Sequence, residues 1–163
     1  MAAGIQKCKI KIVVSIIVLY LICGLANAVF HTLRTVTCAL KLEGVYSCIK
    51  AFENNNARMP VDFAELTKSK DTIDLDEIHC VCDMAAGCNA YIYKPFVAGD
   101  DPSSSILLCD SQARHLTSTK TGFLKSMLFF YYGYDKVRNA IFHDGRSALI
   151  TEEEFQQIES RRF

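Results

Sequence analysis

Eight cysteines and four histidines carry most of the chemistry that this 163-residue chain could offer. His79, Cys80, Cys82 and Cys88 fall within ten residues and present four nitrogen or sulfur ligands of the type Zn²⁺ takes. Their spacing argues against a structural zinc knuckle. Cys80-Val81-Cys82 leaves one residue between the thiols, where paired metal cysteines typically leave two to four. A thioredoxin-like site needs Cys-x-x-Cys, which the chain lacks. His115 and His143 are the remaining titratable candidates. Neither stands in a recognisable motif with a nucleophilic Ser or Cys, so both read as hydrogen-bonded or surface histidines. No catalytic set and no cofactor are expected.

Charge narrows the functions further. Lys plus Arg and Asp plus Glu both number 18, so the net charge is zero and no global field would hold nucleic acid. No glycine-rich phosphate loop is present, and no small-molecule substrate is implied. The charge is nonetheless uneven. Lys7, Lys9 and Lys11 precede any acid, and the first carboxylate is Glu43.

Those lysines introduce Ile12 to Phe30, 19 residues without a formal charge. At about 1.5 Å per residue this helix covers roughly the hydrocarbon thickness of a bilayer. Basic residues before it place the N-terminus in the cytoplasm and the rest of the chain outside. The segment reads as a signal anchor of the inner (cytoplasmic) membrane, with the lipid bilayer as first partner. An alternative stays open: Ala26-Asn27-Ala28 has the small-x-small form cut by signal peptidase. Cleavage after Ala28 would release a secreted cysteine-rich module, with His79, Cys80, Cys82 and Cys88 as its metal candidates.

With the anchor retained, Cys8 faces the cytoplasm and Cys23 lies in lipid. Cys38, Cys48, Cys80, Cys82, Cys88 and Cys109 lie outside, where an even count suggests disulfides. Cys38 and Cys48 are ten residues apart on one expected helix, about 15 Å of rise, too far to bridge. The other pairings stay open, and a bridge from one helix cysteine to the 80–88 stretch is expected.

No Pro or turn cluster separates Val29 from Glu53. Cys38, Leu42, Val45, Ile49 and Phe52 follow a helical stripe, and Asn54-Asn55-Asn56 with Pro60 supplies a stop. One long helix over roughly 10–54 is therefore expected, half in lipid and half packed on a domain. The organisation is a basic tail (1–11), a transmembrane helix (12–30), its extension (31–56) and an α+β globular domain (57–163).

Within that domain Asp62 is a helix cap and Ala90–Lys94 and Ile106–Cys109 are strands. Val137–Phe142 and Ser147–Ile150 form a hairpin through an Asp144-Gly145 type I′ turn. Thr151-Glu152-Glu153-Glu154 opens a helix with a capping box, with Phe155 and Ile158 facing inward. Residues 123–134 hold an aromatic run that reads as core, or as a partner surface if exposed.

In this order the landmarks resemble type II secretion pseudopilin-like proteins of the planctomycete and lentisphaera kind. The resemblance runs from about 12 to 160. It is carried by Cys38 and Leu42, Ala51-Phe52-Glu53-Asn54-Asn55-Asn56 with Pro60, Phe63-Ala64-Glu65-Leu66, Ile78-His79-Cys80 and Tyr91-Ile92-Tyr93. It continues through Ile106-Leu107-Leu108-Cys109-Asp110, His115, Asn139-Ala140-Ile141-Phe142-His143-Asp144-Gly145 and Glu153-Glu154-Phe155. It implies a pilin-like fold: a long helix on a small antiparallel sheet, with a short C-terminal helix. It also implies an assembly protein that meets other pseudopilin-like subunits. Lys9 stands where prepilins carry the glutamate that pairs with a neighbouring N-terminus, so the resemblance extends to the fold and the anchor more than to polymerisation.

Overall fold

The chain folds around a helix that no residue in its first third is built to stop. In this computed structural model, which describes residues 2–68, 91–97, 99–113, 115–117 and 135–161, α1 runs unbroken from Ala2 to Asn56. Proline is absent from the segment, and its glycines are isolated, which weakens a helix without ending it. Threonine and serine hydroxyls along it are returned to carbonyls one turn back: Thr32 to Ala28, Thr35 to His31, Thr37 to Leu33 and Ser47 to Glu43, each at 2.9 Å. Asn56 closes the helix by donating its side-chain amide to the Phe52 carbonyl. The next residue, Ala57, takes the left-handed conformation (φ 55°) that ends many helices and is usually given to glycine.

The two halves of α1 differ in what surrounds them. From Ile10 to Cys23 the side chains are exposed around the whole helix, and Gly24 and Ala28 begin a buried line on one face. Beyond that, Cys38, Leu42, Val45, Ile49 and Phe52 are buried, as their spacing predicts. A helix that is apolar all round needs an apolar solvent, whereas one apolar stripe needs a packing partner. By length and composition α1 can cross a membrane, and it is compatible with a single-pass anchor.

The partner of the stripe is an antiparallel sheet of β1 (Tyr91–Tyr93), β2 (Ile106–Asp110), β3 (His115–Thr117), β4 (Asp135–Phe142) and β5 (Ser147–Thr151). β4 pairs with β5 along one edge; β2 and β3 share its other edge, end to end. The sheet therefore behaves as a four-stranded meander, β1, β2/β3, β4, β5, whose second strand is interrupted. One face, with Tyr91, Leu108 and Ile141, packs on the α1 stripe. The other, with Ile106, Cys109, Ala140, Phe142 and Ile150, packs on Phe155 of α3 (Glu152–Ser160). Alternation along β4 assigns Ile141 to the first layer and its neighbours Ala140 and Phe142 to the second, as strand geometry requires. The architecture is α+β, as expected.

Local signals hold at most ends. Asp62 accepts from the Glu65 amide at 2.8 Å and caps α2 (Phe63–Lys68). Thr151 and Glu154 form the reciprocal capping box of α3. Tyr93 donates to the Pro60 carbonyl at 2.7 Å, tying β1 to the segment after α1.

The hairpin turn differs from expectation. A type I′ turn needs positive φ at both central residues. Here Gly145 alone has it (φ 88°), and Asp144 does not. The loop is the three-residue form: Gly145 N–H bonds the Phe142 carbonyl, and Phe142 N–H bonds the Arg146 carbonyl, both at 2.9 Å. Asp144 instead uses its carboxylate to accept from the Arg146 amide at 2.9 Å. The preceding loop straps the turn, with the Asp144 and His143 amides donating to the Pro102 and Ser105 carbonyls.

Candidate functional site

The site begins with a mismatch between two strands. Cys109 is opposite Ala140 and His115 is opposite Val137. On β4 only Arg138 and Asn139 separate those partners, against five positions between Cys109 and His115, so the pairing is broken by a bulge. A bulge leaves backbone groups without ladder partners, and buried ones must find others. Arg138 supplies them, its Nη1 donating to the carbonyls of Asp110 (2.9 Å) and Ser111 (2.5 Å).

The bulge also turns the Asp110 carboxylate inward. Its Oδ2 accepts from the Asn139 backbone amide (2.7 Å) and from Asn139 Nδ2 (3.0 Å). His115 Nε2 lies 3.0 Å from the same oxygen. His115 is further hydrogen-bonded to the side chain of Cys38, one helix away. Thus α1, the end of β2, β3 and β4 meet in one buried polar chain, Cys38–His115–Asp110–Asn139. Cys38 is 0% exposed, His115 2% and Asp110 3%.

Burial works against a charged His115. The hydrogen bonds to Asp110 and Cys38 outweigh it and raise the imidazolium pKa to about 9. At neutral pH the cluster therefore holds an imidazolium between a carboxylate and a sulfur.

Thiol, imidazole and carboxylate in this order match a nucleophile, its base and the group that orients the base. The sulfur sits on the face of α1 that is pressed against the sheet, and it is fully buried there. Of two shallow clefts on the described surface, one lies among Lys136, Arg138 and Glu153, the other among Ala39, Leu42 and Leu149; neither is lined by Cys38. What the geometry does perform is attachment: it gives the largely apolar helix–sheet contact a buried polar point with a defined register, beside the surface bond from the Ser147 hydroxyl of β5 to the Glu43 carboxylate of α1.

On the reverse face, Arg138 stacks 4.2 Å from the Phe155 ring centre, and Lys94 lies 5.4 Å from it. Arg138 also pairs with Glu152 at 2.6 Å, and Lys94 with Glu159. The ring of α3 is thus held between two cations, each carrying a carboxylate of the same helix.

The stripe Cys38, Leu42, Val45, Ile49 and Phe52 lies on the sheet as expected. Cys38, Cys48 and Cys109 stand as thiols, so among the described residues no disulfide forms and the bridge expected from a helix cysteine is not made. Cys38 has a hydrogen-bonding role instead, and burial pushes the Cys109 thiol up to about 12, which keeps it unreactive. His143 is buried at the hairpin, its ring edge-to-face with Phe96 at 5.2 Å. His79, Cys80, Cys82, Cys88 and the aromatic run 123–134 lie outside the described residues. No cluster of metal-binding side chains forms among the described residues. Pairwise motifs did not reveal Asp110 and His115 as partners. The trace they leave is slight: Asp110 ends the apolar strand Ile-Leu-Leu-Cys, where a carboxylate needs donors.

The fold and site together define an α+β domain on a long helix able to serve as a membrane anchor. Comparison of the chain with family models, with curated proteins and with solved structures found no match.

Proposed function

We propose that the chain is a membrane-anchored, pseudopilin-like structural protein of a type II secretion or type IV pilus-like system. It acts by packing rather than by chemistry. The single observation that carries this reading is α1: one uninterrupted helix exposed on every face from Ile10 to Cys23, with a buried line along one face from Gly24 and Ala28 onward. The lipid half is free to meet like helices, and the docked half transmits their position to the domain. The lysines ahead of Ile12 support an inner-membrane anchor with its N-terminus in the cytoplasm and the domain outside. The sequence landmarks support a pilin-like arrangement of helix and sheet. The buried Cys38–His115–Asp110 chain fits this role, since a subunit that works by its helix must hold that helix in one register.

The test is membrane residence after alkaline wash, read with the intact mass. Retention in the membrane with a mass that includes residues 12–30 is the expected result. A soluble chain that begins at Val29 overturns the reading in favour of a secreted cysteine-rich module.

A further inference from the structure

The outward face of α1 stays apolar well past the length a bilayer needs. Val29, Leu33, Val36 and Leu40 recur at helical spacing, and all four are exposed, Leu33 at 61% and Leu40 at 63%. They lie opposite the buried stripe that holds the domain. The next exposed residues on this face are Glu43, Gly44 and Ser47, so the apolar surface stops within one turn of Leu40. On the inward face the apolar run ends much earlier, at Asn27 and His31. Lys11 lies on this face too, so its apolar stretch runs from Ile12 to Leu40, about 42 Å at 1.5 Å per residue, against a hydrocarbon core of about 30 Å.

We propose that the bilayer itself covers Leu33, Val36 and Leu40, because α1 leaves the membrane obliquely, outward face toward the lipid and domain on its upper side. This rests on the anchor reading above. Three observations select lipid as the occupant. The face continues, on the same helix and without a polar break, the surface that enters the bilayer. The hydroxyls of Thr32 and Thr37, which flank it, are returned to the Ala28 and Leu33 carbonyls, so they bring no unmet donor into lipid. The Arg34 guanidinium folds back over the Phe30 ring at 5.2 Å, as a cation held at a headgroup boundary beside an aromatic ring does. A tilt of roughly 35°, toward the upper end for membrane helices, brings about 36 Å of helix from Ile12 to Val36 within the hydrocarbon. Leu40 then meets the interfacial layer. An upright helix would instead leave about 12 Å of apolar face in water.

The full chain, carrying photo-reactive p-benzoylphenylalanine at Ile17, Leu33, Val36, Leu40 or Ser47, is placed at one copy per phospholipid nanodisc. Lipid adducts are then read by intact mass. Adduct yields at Leu33 and Val36 within about threefold of Ile17, with Leu40 above Ser47, are the expected result. Adducts at Ile17 but none at Leu33, Val36 and Leu40 overturn the oblique helix while leaving the anchor in place. No adduct at Ile17 overturns the anchor, and this inference with it. In vesicles holding many copies, dimers at Leu33, Val36 and Leu40 in place of lipid adducts would show that a second copy covers the face, which also overturns it.

Discussion

His115 Nε2 stands 3.0 Å from Asp110 Oδ2 because the strand between them leaves the ladder and returns to it. Had β2 continued in register, Asp110 and His115 would lie five residues apart along one straight strand, on opposite faces. The bulge is what lets the histidine bridge the sheet to Cys38 of α1.

Stability should fall with rising pH because of this histidine. Its folded pKa of about 9 lies above the unfolded value of 6.5. A raised pKa contributes fully below pH 6.5 and is lost as pH climbs through 9. The span corresponds to roughly 3 kcal/mol. Denaturant unfolding of the detergent-solubilised chain at pH 6 and pH 9.5 should show that loss, and His115→Gln should remove most of the difference.

Arg138 should matter far more than the carboxylate it pairs with. Its side chain is 8% exposed and that of Glu152 43%. Arg138→Met strips the bulge carbonyls of Asp110 and Ser111 of their donor and should cost about 3 kcal/mol. Glu152→Gln should cost under about 1 kcal/mol, since a half-exposed ion pair is screened. Equal losses in thermal unfolding would contradict the carbonyl account.

The hairpin turn is keyed to α1 through Gly145. A Cβ there would lie 2.8 Å from the Tyr46 hydroxyl oxygen, at a backbone φ of 88°. Gly145→Ala should destabilise by about 2 kcal/mol or more. Adding Tyr46→Phe removes the contact but leaves the backbone strain, so it should recover only part of the loss. Full recovery would show that the conformation itself carries no penalty.

Ala57 offers a stabilising change. Its left-handed φ of 55° strains an L-residue, and it is exposed. Ala57→Gly should raise stability by about 0.5–1 kcal/mol after the added freedom of the unfolded chain is counted. A lower melting temperature would count against strain at this helix end.

The elements set by short-range chemistry were legible in the residues. The α1 stripe, the Asn54–Asn56 stop, the Asp62 cap, the hairpin strands and the Thr151 capping box depend on periodicity and on contacts a few positions apart. The sequence also made the first half of α1 long and apolar enough to cross a membrane. Tertiary structure alone decided β3, whose three residues His115–Thr117 are too few to show a period, and which exists as a strand because β4 offers it an edge. It also decided the partners of Asp110 and His115 and the use of Cys38 as an acceptor rather than half of a disulfide. These follow from a register between strands distant along the chain, and from which face of α1 meets them. A carboxylate and an imidazole become partners only when both are buried together, and burial belongs to the whole fold rather than to either residue's neighbours in sequence.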